Sequence, residues 1–267
     1  MPETGPVYEV FAIRYAHREA RRAEHFIGGD AHDGPMPMDY FLWLIRGHGR
    51  SVVVDTGFSA EVAAKRGREF LRDPVDALRL LGVEPSAVRN VVLTHLHYDH
   101  VGNFSRFPAA EFHLQEPDMH FAVGRHMRHA HMRQAFEVDD VIGIVRLNYG
   151  GRVRLHNGVV TLAPGISLHP APGHSAGLQF VRVNTARGPV VLASDVSHFY
   201  ENMESGRPFP VCVSVADSLD SYELLFAAVA TRDHIVPGHD PLVMQRYPAP
   251  HPDLDGIAAR LDVPPSA

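Results

Sequence analysis

Four side chains able to ligate a metal fall within six residues of one another in the segment Thr94-His95-Leu96-His97-Tyr98-Asp99-His100. The run that leads into them, Asn90-Val-Val-Leu-Thr94, reads as a strand. Residues two apart on an extended chain project to the same side, so His95 and His97 can grip one ion together. Asp99 and His100 come where the chain must turn, with Gly102 close behind to permit an unusual backbone angle, and they can face a second ion. Two further histidines follow glycine at the ends of apolar runs, in Pro172-Gly173-His174 and Pro237-Gly238-His239, and Asp195 ends the run Val190-Val-Leu-Ala-Ser194. Together these supply ligands for two ions. A pair of divalent ions about 3.5–4 Å apart can lower the pKa of a shared water toward about 7 and polarise a carbonyl. Asp99 is placed both to ligate and to carry a proton to a leaving oxygen. With nitrogen and oxygen donors and no thiolate, zinc fits best, and iron, manganese or cobalt accept the same donor set.

The elements that must position these residues can be read from the apolar pattern. Strands are predicted over Val7–Tyr15, Tyr40–Arg46, Ser51–Asp55, Asn90–Thr94 and Glu111–Leu114, with helices over Ala60–Leu71 and Pro74–Leu81, the latter closed by Gly82. From Glu116 to about Val141 the pattern is helical and rich in Met, Phe and His. After Gly150-Gly151 strands resume over Val159–Leu162, Ile166–His169, Leu178–Val183 and Pro189–Ala193, followed by a helix over Asp217–Ala230 and a strand over His234–Pro237. Two successive groups of alternating strands and helices predict sheets covered by helices, an α/β layered domain. The Pro-rich tail from Pro248 is expected to wrap the surface or fray.

Composition narrows the chemistry further. A chain of 267 residues can form one large domain, and 45% hydrophobic with 21% charged residues is ordinary for a globular protein. The single cysteine, Cys212, excludes an intrachain disulfide framework and a multi-cysteine zinc site. No leader-like N-terminus or bilayer-length apolar run is seen, which predicts a cytoplasmic protein without membrane contact. The net charge of −6, with its cations scattered, disfavours nucleic acid. Of the 19 histidines, His126, His129 and His131 lack a carboxylate to complete a metal site and are expected on a solvated helix, while His17, His25, His32 and His48 show no partner spacing. Phe121, Met127, Met132 and Phe136 could line an apolar pocket, since Met adapts to varied chains, though core packing is the commoner role.

The order His-x-His-x-Asp-His, Gly-His about 75 residues on, strand-end Asp and a second Gly-His resembles the metallo-β-lactamase superfamily from Asp55 to His239. That resemblance implies an αβ/βα four-layer sandwich, a single domain over 1–267 whose helical segment at about 116–141 covers the active site. By it, His95, His97 and His174 would hold one ion, Asp99, His100 and His239 the other, and Asp195 would bridge both. The Asp55-Thr56-Gly57 turn also matches a recurrent element of the superfamily, either as a plain strand cap or as support for the ligands. Within the superfamily the likeness is to N-acyl homoserine lactone lactonases, carried by Ser194-Asp-Val-Ser-His-Phe-Tyr-Glu-Asn-Met203 and Ile235-Val-Pro-Gly-His-Asp-Pro-Leu242. It implies opening of the lactone ring of N-acyl homoserine lactones or a related small lactone, hence quorum quenching, by a small-molecule enzyme that a homodimer would suit. One departure stands out. Three residues after the bridging Asp, where those lactonases carry tyrosine, this chain has His198, and Tyr200 is near but out of register. An imidazole N–H at 198 could donate to the substrate carbonyl and so act with Asp99 in catalysis. The alternatives are a thioesterase resembling glyoxalase II, weakened by the lack of a basic cluster near the C-terminus, another small-ester or β-lactam hydrolase, and a metal-binding module without catalysis.

Overall fold

The computed structural model describes residues 5–266. The chain lays down β1 (Glu9–Arg18), β2 (Met38–Gly47), β3 (Arg50–Val54), a two-residue β4 (Glu69–Phe70), β5 (Asn90–Val92), β6 (Glu111–Gln115) and β7 (Val153–His156). It then builds β8 (Val160–Ala163), β9 (Ile166–Pro170), β10 (Gln179–Thr185), β11 (Gly188–Ser194) and β12 (Ile235–Pro237), and returns to the first sheet with β13 (Ala258–Arg260). The first sheet runs β13-β1-β2-β3-β5-β6-β7 with β4 paired to β1, and the second runs β12-β11-β10-β9-β8. β1, β2 and β3 are antiparallel neighbours, whereas β3, β5, β6 and β7 are parallel and need crossovers, which the helices supply.

Side-chain alternation explains why the sheets stack. On β1 and β2, Val10, Ala12, Phe41, Trp43 and Ile45 face one core with Val52, Val54 and Val92, and that core is completed by Leu168, Val181, Val183 and Leu192 of the second sheet. The intervening residues Phe11, Ile13, Leu42, Leu44 and Val53 face the other way, into a core shared with Val75, Leu78, Met119, Val141 and Ile144 of the covering helices. Helix 215–227 adds Tyr222 and Leu225 beside the second sheet. The result is helices, sheet, sheet, helices: the four layers expected from the sequence. No helix among the described residues is long and apolar enough to cross a membrane.

Several boundaries differ from the sequence reading, each for a local reason. The helix expected over 60–71 is capped by Ser59 and stops at Arg66, because Gly67 turns left-handed (φ 63°) and Glu69–Phe70 then pairs with β1. The helical stretch expected over 116–141 is broken into 116–122, 130–133 and a longer helix 138–149, with a 3-10 turn at 125–128. Strand β7 was not anticipated from its pattern, since Val153-Arg-Leu-His156 is short and half polar. The tail does more than wrap the surface: Ala258–Arg260 pairs with β1, and the Leu261 amide donates to the Val10 carbonyl.

One consequence of this packing is acid sensitivity away from the site. His113 on β6 is buried, its Nδ1 3.1 Å from His156 Nε2 and its Nε2 3.1 Å from Asn90 Oδ1, and burial together with His156 pushes its imidazole down to about 4. Below about pH 6.5 the unfolded chain takes up a proton that the native chain refuses until about pH 4. Stability should therefore fall across that window by up to about 3 kcal/mol from this group. In urea unfolding at pH 7 and pH 4.5, His113→Leu is expected to show a smaller acid loss than wild type; equal losses would contradict this.

Candidate metal centre

The site is assembled where strands of both sheets end. β5 releases the chain into Thr94 to His100, β11 into Asp195, β12 into His239, and the β9–β10 loop brings His174. Several contacts join the sheets at this edge: Thr94 Oγ1 lies 2.9 Å from Ser194 Oγ, and Gln179 donates its side-chain amide to the Leu93 carbonyl at 2.8 Å and its backbone amide to the Thr94 carbonyl at 3.0 Å. Gly173 and Gly238 are needed for close approach. A Cβ at Gly173, which has φ 138°, would meet the Ser218 backbone at 2.4 Å, and one at Gly238 would meet the Ser194 carbonyl carbon at 2.7 Å.

His95, His97, His174 and Asp195 offer ligand atoms that all lie within 4.8 Å of one another, and Asp99, His100 and His239 form a second such group. Asp195 lies against both. Its Oδ2 is 3.1 Å from His174 Nε2, and its Oδ1 is 3.2 Å from His100 Nε2 and 3.0 Å from His239 Nε2. All seven residues are buried. His95 Nε2 and His100 Nε2 have no hydrogen-bond partner although they are buried beside Asp195, and such orphaned nitrogens next to a carboxylate fit divalent cations. The donor chemistry fits as well, since every group is an imidazole nitrogen or a carboxylate oxygen.

Outer contacts select the tautomers. His100 Nδ1 donates to Asp55 Oδ2 at 2.7 Å and His239 Nδ1 donates to the Asp39 carbonyl at 2.8 Å, which leaves each Nε2 with its lone pair toward the centre. Asp55 is fully buried and also accepts from the Thr94 amide and hydroxyl at 2.7 and 2.8 Å, so the turn reads as ligand support more than a bare strand cap. Asp118, equally buried, accepts from the Leu96 amide at 2.7 Å and the Gly177 amide at 3.2 Å, and so ties the loop of His95 and His97 to the loop of His174. The fields agree with this layout. Burial holds the His95 and His97 imidazoles well below their usual range, whereas at His100 it is outweighed by the carboxylates of Asp195, Asp99 and Asp55. Asp195 is held well below the carboxylate range because its imidazole neighbours outweigh its burial.

His198 is buried beside this centre, its ring stacked on Phe209 with centroids 3.7 Å apart and its Nε2 3.0 Å from Asp195 Oδ2. One of its two ring nitrogens thus already touches a carboxylate. Burial lowers this imidazole to about 3 in spite of Asp195. Tyr200 is elsewhere, packed into the inter-sheet core under the Arg246 guanidinium.

Above the centre opens a cavity of about 220 Å³. Besides centre residues it is walled by Arg18, Met38, Tyr40, Arg66, Arg68, Tyr98 and Phe209. The four residues singled out as a candidate apolar lining do not wall it. Phe136 packs edge-on against His97 at 4.8 Å and Phe121 packs on Phe136, so these rings dock the 116–136 segment onto the site. Tyr40, Arg68 and Phe209 escaped the sequence reading, because each reaches the cavity from a separate element and carries no local spacing signal.

The model of the metallo-beta-lactamase superfamily matches residues 38–242, well over half of the chain. Over 136 residues the chain is 29% identical to an N-acyl homoserine lactonase of Bacillus thuringiensis, a match covering 51% of this chain and 49% of that one, so it spans about half the length of that relative. It is also 29% identical over 243 residues to the N-acyl homoserine lactonase AttM of Azorhizobium caulinodans, covering 80% and 85% of the two chains. Among solved structures, a quorum-quenching N-acyl homoserine lactone lactonase superposes with a TM-score of 0.75 at 22% identity, over 91% of this chain and 95% of that one. A dizinc quorum-quenching lactonase, AidC, superposes with a TM-score of 0.69 at 14% identity over 90% of each chain. These likenesses show a shared fold.

The support that Asp55 gives His100 leads to a test independent of activity. Removing such a contact typically costs 10–100-fold in metal affinity. Asp55→Ala is therefore expected to bind zinc about 10–100-fold more weakly in chelator competition. Affinity within about twofold of wild type would show that Asp55 only caps its strand.

Proposed function

The chain belongs to the metallo-beta-lactamase superfamily, and on that premise we propose that it is a metal-dependent hydrolase that opens the ring of an N-acyl homoserine lactone or a related small lactone. The observation that carries this reading is the buried pair of ligand groups meeting at Asp195 on the floor of an open cavity. The lactonase names of its relatives support the substrate class. We assign two zinc ions to the site, one to His95, His97 and His174, the other to Asp99, His100 and His239, with Asp195 shared. The all-nitrogen-and-oxygen donor set supports zinc, as does the dizinc relative. A cytoplasmic location, action as a homodimer, one domain over the whole chain and a covering role for the 116–141 segment complete the proposal.

Bound there, the ions would supply a water of lowered pKa as nucleophile and would polarise the ester carbonyl. The protein's own groups do the rest. The cavity walls, among them Tyr40, Tyr98 and the His198–Phe209 stack, would hold the ring over Asp195. Asp99 lines the cavity, and the Tyr15 hydroxyl donates to its backbone carbonyl at 3.0 Å and fixes the turn. Its carboxyl group is assigned to pass a proton to the ring oxygen as the carbon–oxygen bond breaks. An alkoxide leaves more readily than an amide nitrogen, so the acyl amide survives. To His198 we assign the N–H donor at the carbonyl oxygen as negative charge develops there, its Nε2–H being shared between Asp195 Oδ2 and the substrate.

With hexanoyl homoserine lactone, mass spectrometry should show a product heavier by one water; hexanoic acid with intact homoserine lactone would refute ring opening. His198→Phe is expected to lower kcat by about 10²–10³ with zinc content unchanged, and His198→Tyr to recover much of it. A kcat within about threefold of wild type in His198→Phe would remove His198 from the reaction.

A further inference from the structure

The cavity wall holds an arginine that the hydrolytic scheme does not use. Three guanidinium groups face the cavity, and two of them are matched by carboxylates: Arg18 pairs with Glu24, and Arg66 pairs with Glu137 at 2.8 Å while lying 3.8 Å over the Tyr98 ring. Arg68 is different. It is half-buried, its Nε donates to Tyr98 Oη at 3.2 Å and its Nη1 to the Arg66 carbonyl at 2.7 Å, but among the described residues it has no carboxylate within ion-pair distance and Nη2 makes no hydrogen bond. The guanidinium is thus held by two neutral acceptors with one edge left over. A planar cation fixed in this way is suited to a carboxylate or another oxyanion.

The surroundings reinforce this charge. The segment from Ala122 to Ala135 contains Arg125, Arg128 and Arg133 with His126, His129 and His131, and no acidic residue, although the chain as a whole carries −6. These six side chains are exposed, and the segment ends at Gln134 and Ala135 on the cavity wall, held there by the Tyr98 amide on the Ala135 carbonyl at 2.9 Å and Arg66 on the Gln134 carbonyl at 3.0 Å. A basic segment that runs up to the cavity wall in an otherwise anionic protein raises the local concentration of anions. A chain of contacts links the arginine to the centre, since Tyr98 Oη donates to Tyr40 Oη at 3.4 Å and the Tyr40 ring packs edge-on to His239 with centroids 5.1 Å apart.

We propose that Arg68 is a specificity residue that binds an anionic group on the substrate, so that the preferred lactone carries a carboxylate or comparable acid besides its ring. This rests on the lactonase reading and narrows it: a simple N-acyl homoserine lactone has no charge to place against Arg68. The acidic arm would lie along Arg68 and Tyr98, and the ring would reach Asp195.

The test compares two substrates of equal length on the zinc-loaded enzyme, N-glutaryl and N-pentanoyl homoserine lactone, which differ by one terminal carboxylate. Charge-assisted bonds of this kind imply a preference of about tenfold or more in kcat/KM for the glutaryl compound. The preference should reside mainly in KM, shrink with added salt, vanish in Arg68→Met and return in part in Arg68→Lys. Equal kcat/KM for the two lactones, or a preference that survives Arg68→Met, overturns the proposal while leaving the lactonase reading intact. Failure of both lactones to open overturns the lactonase reading. In that case calorimetry decides on Arg68 directly. Glutarate should bind wild type about tenfold tighter than it binds Arg68→Met, whereas equal binding to the two proteins would refute the anion site.

Discussion

The structure turns on one buried carboxylate. Asp195 lies with four imidazoles within 3.2 Å, those of His100, His174, His198 and His239, in surroundings from which water is nearly excluded. Ionisable groups at such depth are costly unless each is paired. Here the pairing is drawn from both sheets, and the same contacts that satisfy Asp195 fix how the two halves of the molecule meet. The Thr94–Ser194 contact and the Gln179 amide lie at this junction, so sheet packing and ligand geometry are set by the same few atoms.

The backbone shows what this convergence costs. Two of the three non-glycine residues with positive φ among the described residues, Asp55 at 62° and Ser194 at 47°, end strands that feed the centre. Left-handed backbone is unfavourable for a serine and only somewhat less so for an aspartate. Such strain persists where surrounding contacts over-determine it. Asp55 is held by Thr94 and His100, and Ser194 by Thr94, while the bends they make turn Thr56 and Asp195 away from the line of their strands. Preorganisation of the ligands is thus built into the strand ends, with Asp118 restraining the loops of His95–His97 and His174 from behind.

How much of this was legible in the sequence depends on distance along the chain. His95 through His100 announce themselves because type and spacing coincide within one strand end, and the two Gly-His pairs gain meaning only beside them. The layered sheets were readable from the two successive groups of alternating strands and helices. Three classes of feature were hidden. Tyr40, Arg68 and Phe209 reach the cavity through tertiary packing, and no local pattern marks them. The 116–141 stretch has helical composition throughout, but its termini and turns depend on docking against His97 and Tyr98. The tail strand β13 exists because β1 offers it an open edge, a fact of topology that Pro-rich composition masks.

The central claim is that one carboxylate, Asp195, joins two metal positions into a single site. Elemental analysis of wild type and Asp195→Ala after equilibration with limiting zinc tests it most directly. Wild type should hold about two ions per chain, since its seven ligands suit two sites and would crowd one, and Asp195→Ala should lose affinity at both positions together. A variant that keeps one ion at full affinity, or a wild type that saturates at one, would contradict the account.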